Sequence, residues 1–414
     1  MSELAEAGAP VRTVPAHVPE SLVVDAFDLY NMPLTNEADP QAAYVAFRQY
    51  GDIFWSPNNG GHWVLTRAED IKLVQNDWKR FIRARQVSIP PVETPVPSIP
   101  IQIDPPEHAD YRRPLTKALL PQVVERMAAD VRGLCIELID GFKDRGECDF
   151  VQEFSMIFPI AIFLKLVDLP LSDREYLLPF AEVQTRGASI EERMQAFQKL
   201  AEYLAGVVTE RQAKPGDDLF SQMVNVEIDG QKISFERAIS FCTTALIAGL
   251  DTVAAMLGFA IRHFALHPEQ RAELARRFED NEFVERVVEE LLRRYAIANS
   301  TRSAAEDIEY KGVRFAKGDM ILTANTYIGL DDRVIDRPME VDFDRPVKVN
   351  HSAFDVGPHT CPGATLARRE LRVFLQEWFR RIPDFGIRPG TRPHMATGMV
   401  SAVLTLDLVW PAQD

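Results

Sequence analysis

No apolar run in this sequence is long enough to cross a membrane. The longest, Met156 to Leu164, spans nine residues and is broken by Pro159, against the roughly 20 that a spanning helix needs. Residues 1–20 carry early acids, three prolines and no hydrophobic stretch, so they read as a mobile arm and neither as a signal peptide nor as an anchor. The four cysteines, Cys135, Cys148, Cys242 and Cys361, lack any CxxC pairing, which argues against a disulfide framework and a structural zinc site and fits a reducing, cytoplasmic setting. Positive charge is scarce too. With 46 basic against 61 acidic residues the net charge is -15, which repels phosphate backbones and makes nucleic acid a poor partner. The one local exception is a basic cluster at Lys72, Lys79, Arg80, Arg83, Arg85, Arg112 and Arg113. Internal repeats and long Gly/Ser linkers are also missing, so 414 residues with 46% hydrophobic content describe one large domain over residues 21–414.

What is present is mostly helical periodicity. Long segments run from about Pro121 to Lys143, Ser189 to Gln212, Ser234 to Leu266 and Asn281 to Tyr295. Ser234 suits an N-cap, and His267-Pro268 ends that helix. Strand-like stretches sit toward the two ends. Residues Ile53 to Trp55 and His62 to Thr66 flank a turn-rich segment and read as a hairpin. Near the C-terminus Val400, Ala402, Leu404, Leu406, Leu408 and Trp410 alternate as in one half-buried strand. Pro90 to Pro106 holds seven prolines in seventeen positions, which makes it an extended loop of a length that often serves function. The fold class is therefore mainly α with small β-sheets, an α+β single domain with a β-rich N-terminal part and a helical C-terminal part.

Phe354-Asp-Val-Gly-Pro-His-Thr-Cys361-Pro-Gly363 precedes ATLARRELRVFLQEW, a run of strong helix formers. Cys361 thus sits in a loop feeding a helix N-terminus, where backbone amides and the helix dipole favour a thiolate. Gly357 and Gly363 allow tight turns and close approach to a flat ligand. An inert core thiol, a nucleophile with His359 as its base and a metal-binding thiolate are all compatible with these residues. Glu290 and Arg293 stand three apart on one helix face, an arrangement usual for a surface ion pair. In Ala248-Gly249-Leu250-Asp251-Thr252 the Thr252 hydroxyl can reach the Ala248 carbonyl and open the helix locally, while Gly249 leaves room beside a ligand. A polar Asp-Thr step inside an apolar helix is costly unless it is used, although a kinked helix with a satisfied acid is the plainer account. His108 and Arg112 share a helix face.

Taken together, these segments resemble the cytochrome P-450 family. The Phe-x-x-Gly-x-His-x-Cys-x-Gly loop matches its haem-binding loop, Glu-x-x-Arg with Arg345 in VDFDRP matches its buried structural network, and Ala-Gly-x-Asp-Thr matches its oxygen-activation motif. GGHWVLTR, IDPPEH, AGLDT, EELLRR, LARRE and RIPDF are similar to the soluble bacterial camphor hydroxylase group. The resemblance implies haem b bound by Cys361 as axial iron ligand, with Phe354, Gly363, Ala248 and Gly249 against the cofactor and with His108, Arg112, Arg302 and His359 on the propionates. It implies that Asp251 and Thr252 supply protons for dioxygen, with Arg186 pairing to the acid. A companion lysine of that group corresponds to Leu178 here, which weakens this control. The implied pocket is Val87, Val96, Ser98, Ile101, Thr244, Ile247, Ala298, Met399 and Val400. Val96 stands where camphor hydroxylase has a ketone-binding tyrosine, so the implied substrate is a small hydrophobic molecule of monoterpenoid or norisoprenoid type and not camphor itself. No Gly-rich nucleotide fingerprint or flavin domain is visible. Electrons are therefore expected from a two-iron ferredoxin docking on the basic face near Arg112, itself reduced by a flavoprotein ferredoxin reductase. The alternative uses of such a fold are a haem-binding sensor or carrier that oxygenates nothing and a peroxide-driven peroxygenase; the acid-alcohol pair speaks for oxygen activation.

Overall fold

A computed structural model describes residues 12–33, 39–84, 88–92, 96–187, 189–345 and 351–411. Of the arm expected to be mobile, residues 1–11 lie outside the described residues. Residues 12–20 are docked: Trp55 Nε1 donates to Thr13 O at 2.8 Å, and His17 Nε2 meets Asp319 Oδ2 at 2.8 Å.

The elements around the central cavity are helices α1 Ala68–Asn76, α2 His108–Ala118, α3 Phe158–Leu166, α4 Arg174–Arg186, α5 Ile190–Ala213, α6 Phe235–Leu266, α7 Asn281–Arg294 and α8 Ala364–Arg381. The strands that matter here are β1 Ile53–Ser56, β2 His62–Leu65, β3 Phe81–Ile82, β4 Asn299–Ala304, β5 Met320–Ala324, β6 Ala402–Thr405 and β7 Asp407–Val409. Helix α6 is the spine. Ser234 caps it by accepting from Arg237 N at 3.3 Å, and the chain leaves it at His267 before Pro268. Among the described residues α6 alone is long and apolar enough to cross a membrane, yet 67% of its apolar window is buried inside the protein. It is apolar because α3, α4, α5 and β6 pack around it, which buries its hydrophobic surface on several sides.

The long periodic segment from Pro121 is divided into Pro121–Arg126 and Ala128–Asp140. The expected hairpin forms, with Ile53 opposite Leu65 and Ser56 opposite His62. It belongs to a five-stranded sheet ordered β1-β2-β5-β4-β3. Strand therefore is not confined to the N-terminal part, because β4 and β5 complete the sheet that β1 to β3 begin. The C-terminal alternation is not one strand either. Leu406 is a break: β6 pairs with His394–Ala396, whereas β7 pairs with Gly386–Ile387 and Glu147–Asp149. The alternation is also uneven: Val400, Ser401, Ala402 and Val403 are all buried, Val400 and Ala402 in one small cluster and Leu406, Leu408 and Trp410 in the main core. The described residues of the Pro-rich loop form neither helix nor strand before α2 begins.

Glu290 and Arg293 form no surface pair. Arg293 is 1% exposed and Glu290 5%. Arg293 spends all five N–H groups, on Glu290 Oε1 at 2.7 Å and Oε2 at 2.8 Å and on the carbonyls of Gly329, Pro338 and Glu340. Glu290 Oε1 also accepts from Asp342 N at 2.9 Å and Arg345 Nε at 3.1 Å. A buried pair whose every donor is used is the arrangement in which Coulombic gain can offset desolvation.

Candidate active site

A cavity of about 1370 Å³ opens between α6 and the loop before α8. Cys361, Phe354 and Gly363 line one wall, and Ala248, Gly249 and Thr252 of α6 another. Cys135, Cys148 and Cys242 are buried in core, while Cys361 keeps accessible surface and turns it to the cavity. Its loop is closed by Cys361 N donating to Phe354 O at 2.8 Å. Gly357 is held at φ 75°, and a Cβ there would stand 2.9 Å from Gln75 O, so this turn requires glycine. Burial pushes the Cys361 thiol up from its ordinary value, against the opposing Gly363 amide and Arg112 charge. The Gly363 amide and the Arg112 guanidinium act in the expected direction, toward the thiolate.

Polar groups gather at one edge. Arg83, His108 and His359 line the cavity, and Arg83 Nε, His108 Nε2 and His359 Nε2 are buried without hydrogen-bond partners. The two histidine rings lie 4.5 Å apart. Each is pushed down to about 4, mainly by burial, with the Arg112 charge adding at His108 and Asp104 opposing at His359. Burial, then the charge of Arg302, pushes Arg83 down to about 9, against Asp355 and Asp104. Arg112 lines the cavity and donates to Thr360 O. Arg302 does not line it. It sits fully buried behind this edge, 2.9 Å from Thr301 O and 3.6 Å from Asp355 Oδ1.

Across the cavity Thr252 Oγ1 donates to Ala248 O at 3.0 Å, as its spacing predicts, while α6 continues through this turn as α-helix. Gly249 departs from expectation. A Cβ on it would meet the Phe163 ring at 2.2 Å, so its missing side chain makes room for α3, while the residue itself lines the cavity. Asp251 is 1% exposed and is gripped by Arg186, Nη1 to Oδ2 at 2.7 Å and Nη2 to Oδ1 at 2.6 Å. Glu182 joins at 3.3 Å from Arg186 Nη2. Burial lowers the Arg186 pKa, but the Asp251 and Glu182 charges outweigh it and the net direction is up. Glu182 is a third member that no sequence signal marked, one turn before Arg186 on α4.

The pocket positions Val96, Ser98, Ile101, Thr244, Ile247, Ala298, Met399 and Val400 all line the cavity; Val87 lies outside the described residues. The Thr244 hydroxyl donates to Ser240 O at 2.9 Å, so the helix holds the donor that the sequence left for a ligand. The basic cluster is also altered. Arg83 is 7% exposed and faces the cavity, Arg80 and Arg113 pair with Asp77 and Asp110, and Arg85 lies outside the described residues. Arg83 was legible only as surface charge because nothing in its neighbourhood signals that Asp104 draws its backbone inward, Arg83 N to Oδ1 at 3.1 Å.

Comparison with known proteins matches residues 161–396 to the family described as cytochrome P450. The probable cytochrome P450 127A1 of Sinorhizobium fredii is 32% identical, covering 99% of this chain and 100% of that protein. The vitamin D3 dihydroxylase of Streptomyces griseolus is 30% identical over 80% of this chain and 84% of its own. The crystal structure of cytochrome P450 CYP101C1 superposes with a TM-score of 0.85 at 35% identity, covering 97% of this chain and 100% of that one.

Proposed function

The chain belongs to the cytochrome P450 family of haem-thiolate monooxygenases, and from that premise we propose that Cys361 would hold the iron of haem b through its thiolate and that the enzyme hydroxylates a compact terpenoid or norisoprenoid. The observation that carries the site assignment is the cluster of buried nitrogens without a hydrogen bond, Arg83 Nε, His108 Nε2 and His359 Nε2, the last 3.6 Å from Asp104 Oδ1, beside an accessible cysteine. Buried polar groups without partners are costly, and two propionate carboxylates would bring acceptors to the edge where the guanidinium groups of Arg83, Arg112 and Arg302 outnumber Asp104 and Asp355. When bound, haem supplies the activation of dioxygen that no side chain can perform.

The protein's own groups hold and move protons. Thr252 faces the cavity with its hydroxyl hydrogen resting on Ala248 O, so it delivers a proton at the wall only when that bond opens, with Asp251 as the source behind it. The bidentate grip of Arg186 keeps the Asp251 carboxylate from the cavity, so that pair opens for a proton to pass. With Leu178 in place of a lysine, Glu182 is the residue that competes with Asp251 for Arg186.

The substrate reading rests on the lining. Val96, Ile101, Ile247 and Val400 offer apolar surface, and Thr244 keeps its donor for the helix, so shape and apolar contact select the ligand. Electrons would come from a two-iron ferredoxin on the face around Arg112, served by a flavoprotein reductase, in a cytoplasmic setting. A terpenoid series is screened for the substrate-induced spin-state change of the haem. A hit must then be hydroxylated with reductant consumption matching product, and Thr252→Ala should keep consumption while diverting oxygen to peroxide. Full coupling in that variant would refute the role given to Thr252.

A further inference from the structure

Arg193 lies on the second turn of α5 and is 2% exposed. Among the described residues no carboxylate forms an ion pair with it. Its terminal nitrogens serve neutral oxygens on two other segments: Nη1 donates to Tyr30 Oη at 2.9 Å and Ile89 O at 3.4 Å, and Nη2 to Ser88 Oγ at 3.3 Å and Pro90 O at 2.7 Å. Tyr30 Oη in turn donates to Ile89 O at 2.5 Å, and Ser88 Oγ to Pro90 O at 3.1 Å. A buried cation that spends four N–H groups on one short stretch of backbone and its neighbours is a clamp, because the planar guanidinium fixes both the distance and the angle between what it joins.

The place of this clamp gives it a consequence. Arg193, Ser88 and Val92 line the cavity, as do Ile190 and Met194 of the same α5 turns. Ile190 is 42% exposed and Met194 51%, large apolar side chains that line a cavity and also meet solvent, so this is where the cavity reaches the surface. Its two sides here are α5 and the Ser88–Val92 segment, and Arg193 is what ties one to the other. Tyr30 seats the tie further, since a Cβ on Gly398 would come within 3.0 Å of its ring.

We propose that Arg193 is a specificity-determining positioning residue: by fastening Tyr30 and Ser88–Pro90 to α5 it fixes the width of the cavity mouth, hindering bulky ligands while letting the smallest ones pass. This rests on the reading that the cavity holds haem. Charge-assisted hydrogen bonds are worth enough individually to change an opening equilibrium about tenfold.

The test uses the haem-loaded protein and two azoles that bind haem and shift its absorption, imidazole and the bulky clotrimazole, in stopped-flow mixing. Wild type must first show the red-shifted band of its reduced, carbon-monoxide-bound form; without that band the reading of the site fails before any azole is added. With the band intact, Arg193→Ala should speed clotrimazole association at least about tenfold while leaving imidazole unchanged, and Arg193→Lys should fall between. Tyr30→Phe, which removes a single partner, should shift the same ratio in the same direction by less and serves where Arg193→Ala does not fold. Equal acceleration of both azoles would mean general loosening, and no acceleration of clotrimazole in a variant with a normal band would mean that the clamp does not set the mouth; either result overturns the proposal.

Discussion

Two buried charged systems, one around Arg293 and one around Arg83, differ in one respect. Around Glu290, Arg293 and Arg345 every guanidinium donor of Arg293 has an acceptor. Around Arg83, His108 and His359 three buried nitrogens have none. A saturated network needs nothing more and so holds the chain together, whereas an unsaturated one at the wall of a cavity is stable only with a ligand that brings acceptors. Burial alone does not separate the two systems; an incomplete hydrogen-bond set turned to the wall of a cavity does.

The largest way to break this contrast is Arg293→Ala. It would leave Glu290 buried without its main partner and free the carbonyls of Gly329, Pro338 and Glu340, costing about 3–5 kcal/mol. The expected outcome is loss of folded protein with or without added haem, seen as a collapsed thermal transition; a variant that folds normally would show that the network is dispensable. Arg83→Met should behave in the opposite sense. Removing a buried cation whose side chain, among the described residues, has only Asp355 as an ion-pair partner, at 3.6 Å, should leave the haem-free protein at least as stable, yet release haem roughly 10–100-fold faster, the equivalent of about one or two lost charge-assisted bonds. Transfer of haem to an apo acceptor protein measures the rate. A large drop in apo stability would place Arg83 with the structural network.

Much of this was legible in the sequence because it is local. The cap at Ser234, the stop at His267-Pro268, the Thr252-to-Ala248 bond and the hairpin from Ile53 are set by residues a few positions apart. The cysteine loop and Glu290-x-x-Arg293 were legible through resemblance. What escaped depends on partners far along the chain. Gly249 is small because Phe163 of α3 presses on it, Thr244 is silenced by its own helix, and Arg83 is drawn inward by Asp104, twenty-one residues on. Arg302 has the expected charge but stands behind the wall, because β4 pairs with both β5 and β3 and is enclosed by them. Arg193 looked like any basic position on an amphipathic helix, since nothing near it in sequence announces Tyr30 or Ser88.

His263 extends the contrast to a group that is saturated only while neutral. Its Nδ1 meets Tyr295 Oη and its Nε2 meets Gln270 Oε1, both at 2.8 Å. Gln270 Oε1 can only accept, since its own Nε2 donates to Val341 O, so Nε2 of the imidazole carries the proton and Nδ1 accepts from the tyrosine. Protonating Nδ1 would set donor against donor. Burial first, then the stacked His267 ring at 4.2 Å and the charges of Arg294 and Arg262, push His263 down to about 3. A histidine whose folded pKa lies below its ordinary value of about 6.5 contributes stability that is fully present above pH 6.5. That contribution is lost as pH falls toward 3, because the unfolded chain takes up a proton that the fold refuses. One such proton corresponds to about 1.4 kcal/mol per pH unit. His263→Asn should therefore change little in the pH dependence above neutrality and flatten the fall of urea-denaturation midpoints between pH 6 and pH 4 by up to that slope. His62, pushed down to about 4 by burial, continues to titrate and keeps the remaining slope from vanishing. An unaltered acid slope in the variant would mean that His263 opens to water before the rest of the core, and its hydrogen bonds would then belong with the yielding side of the comparison.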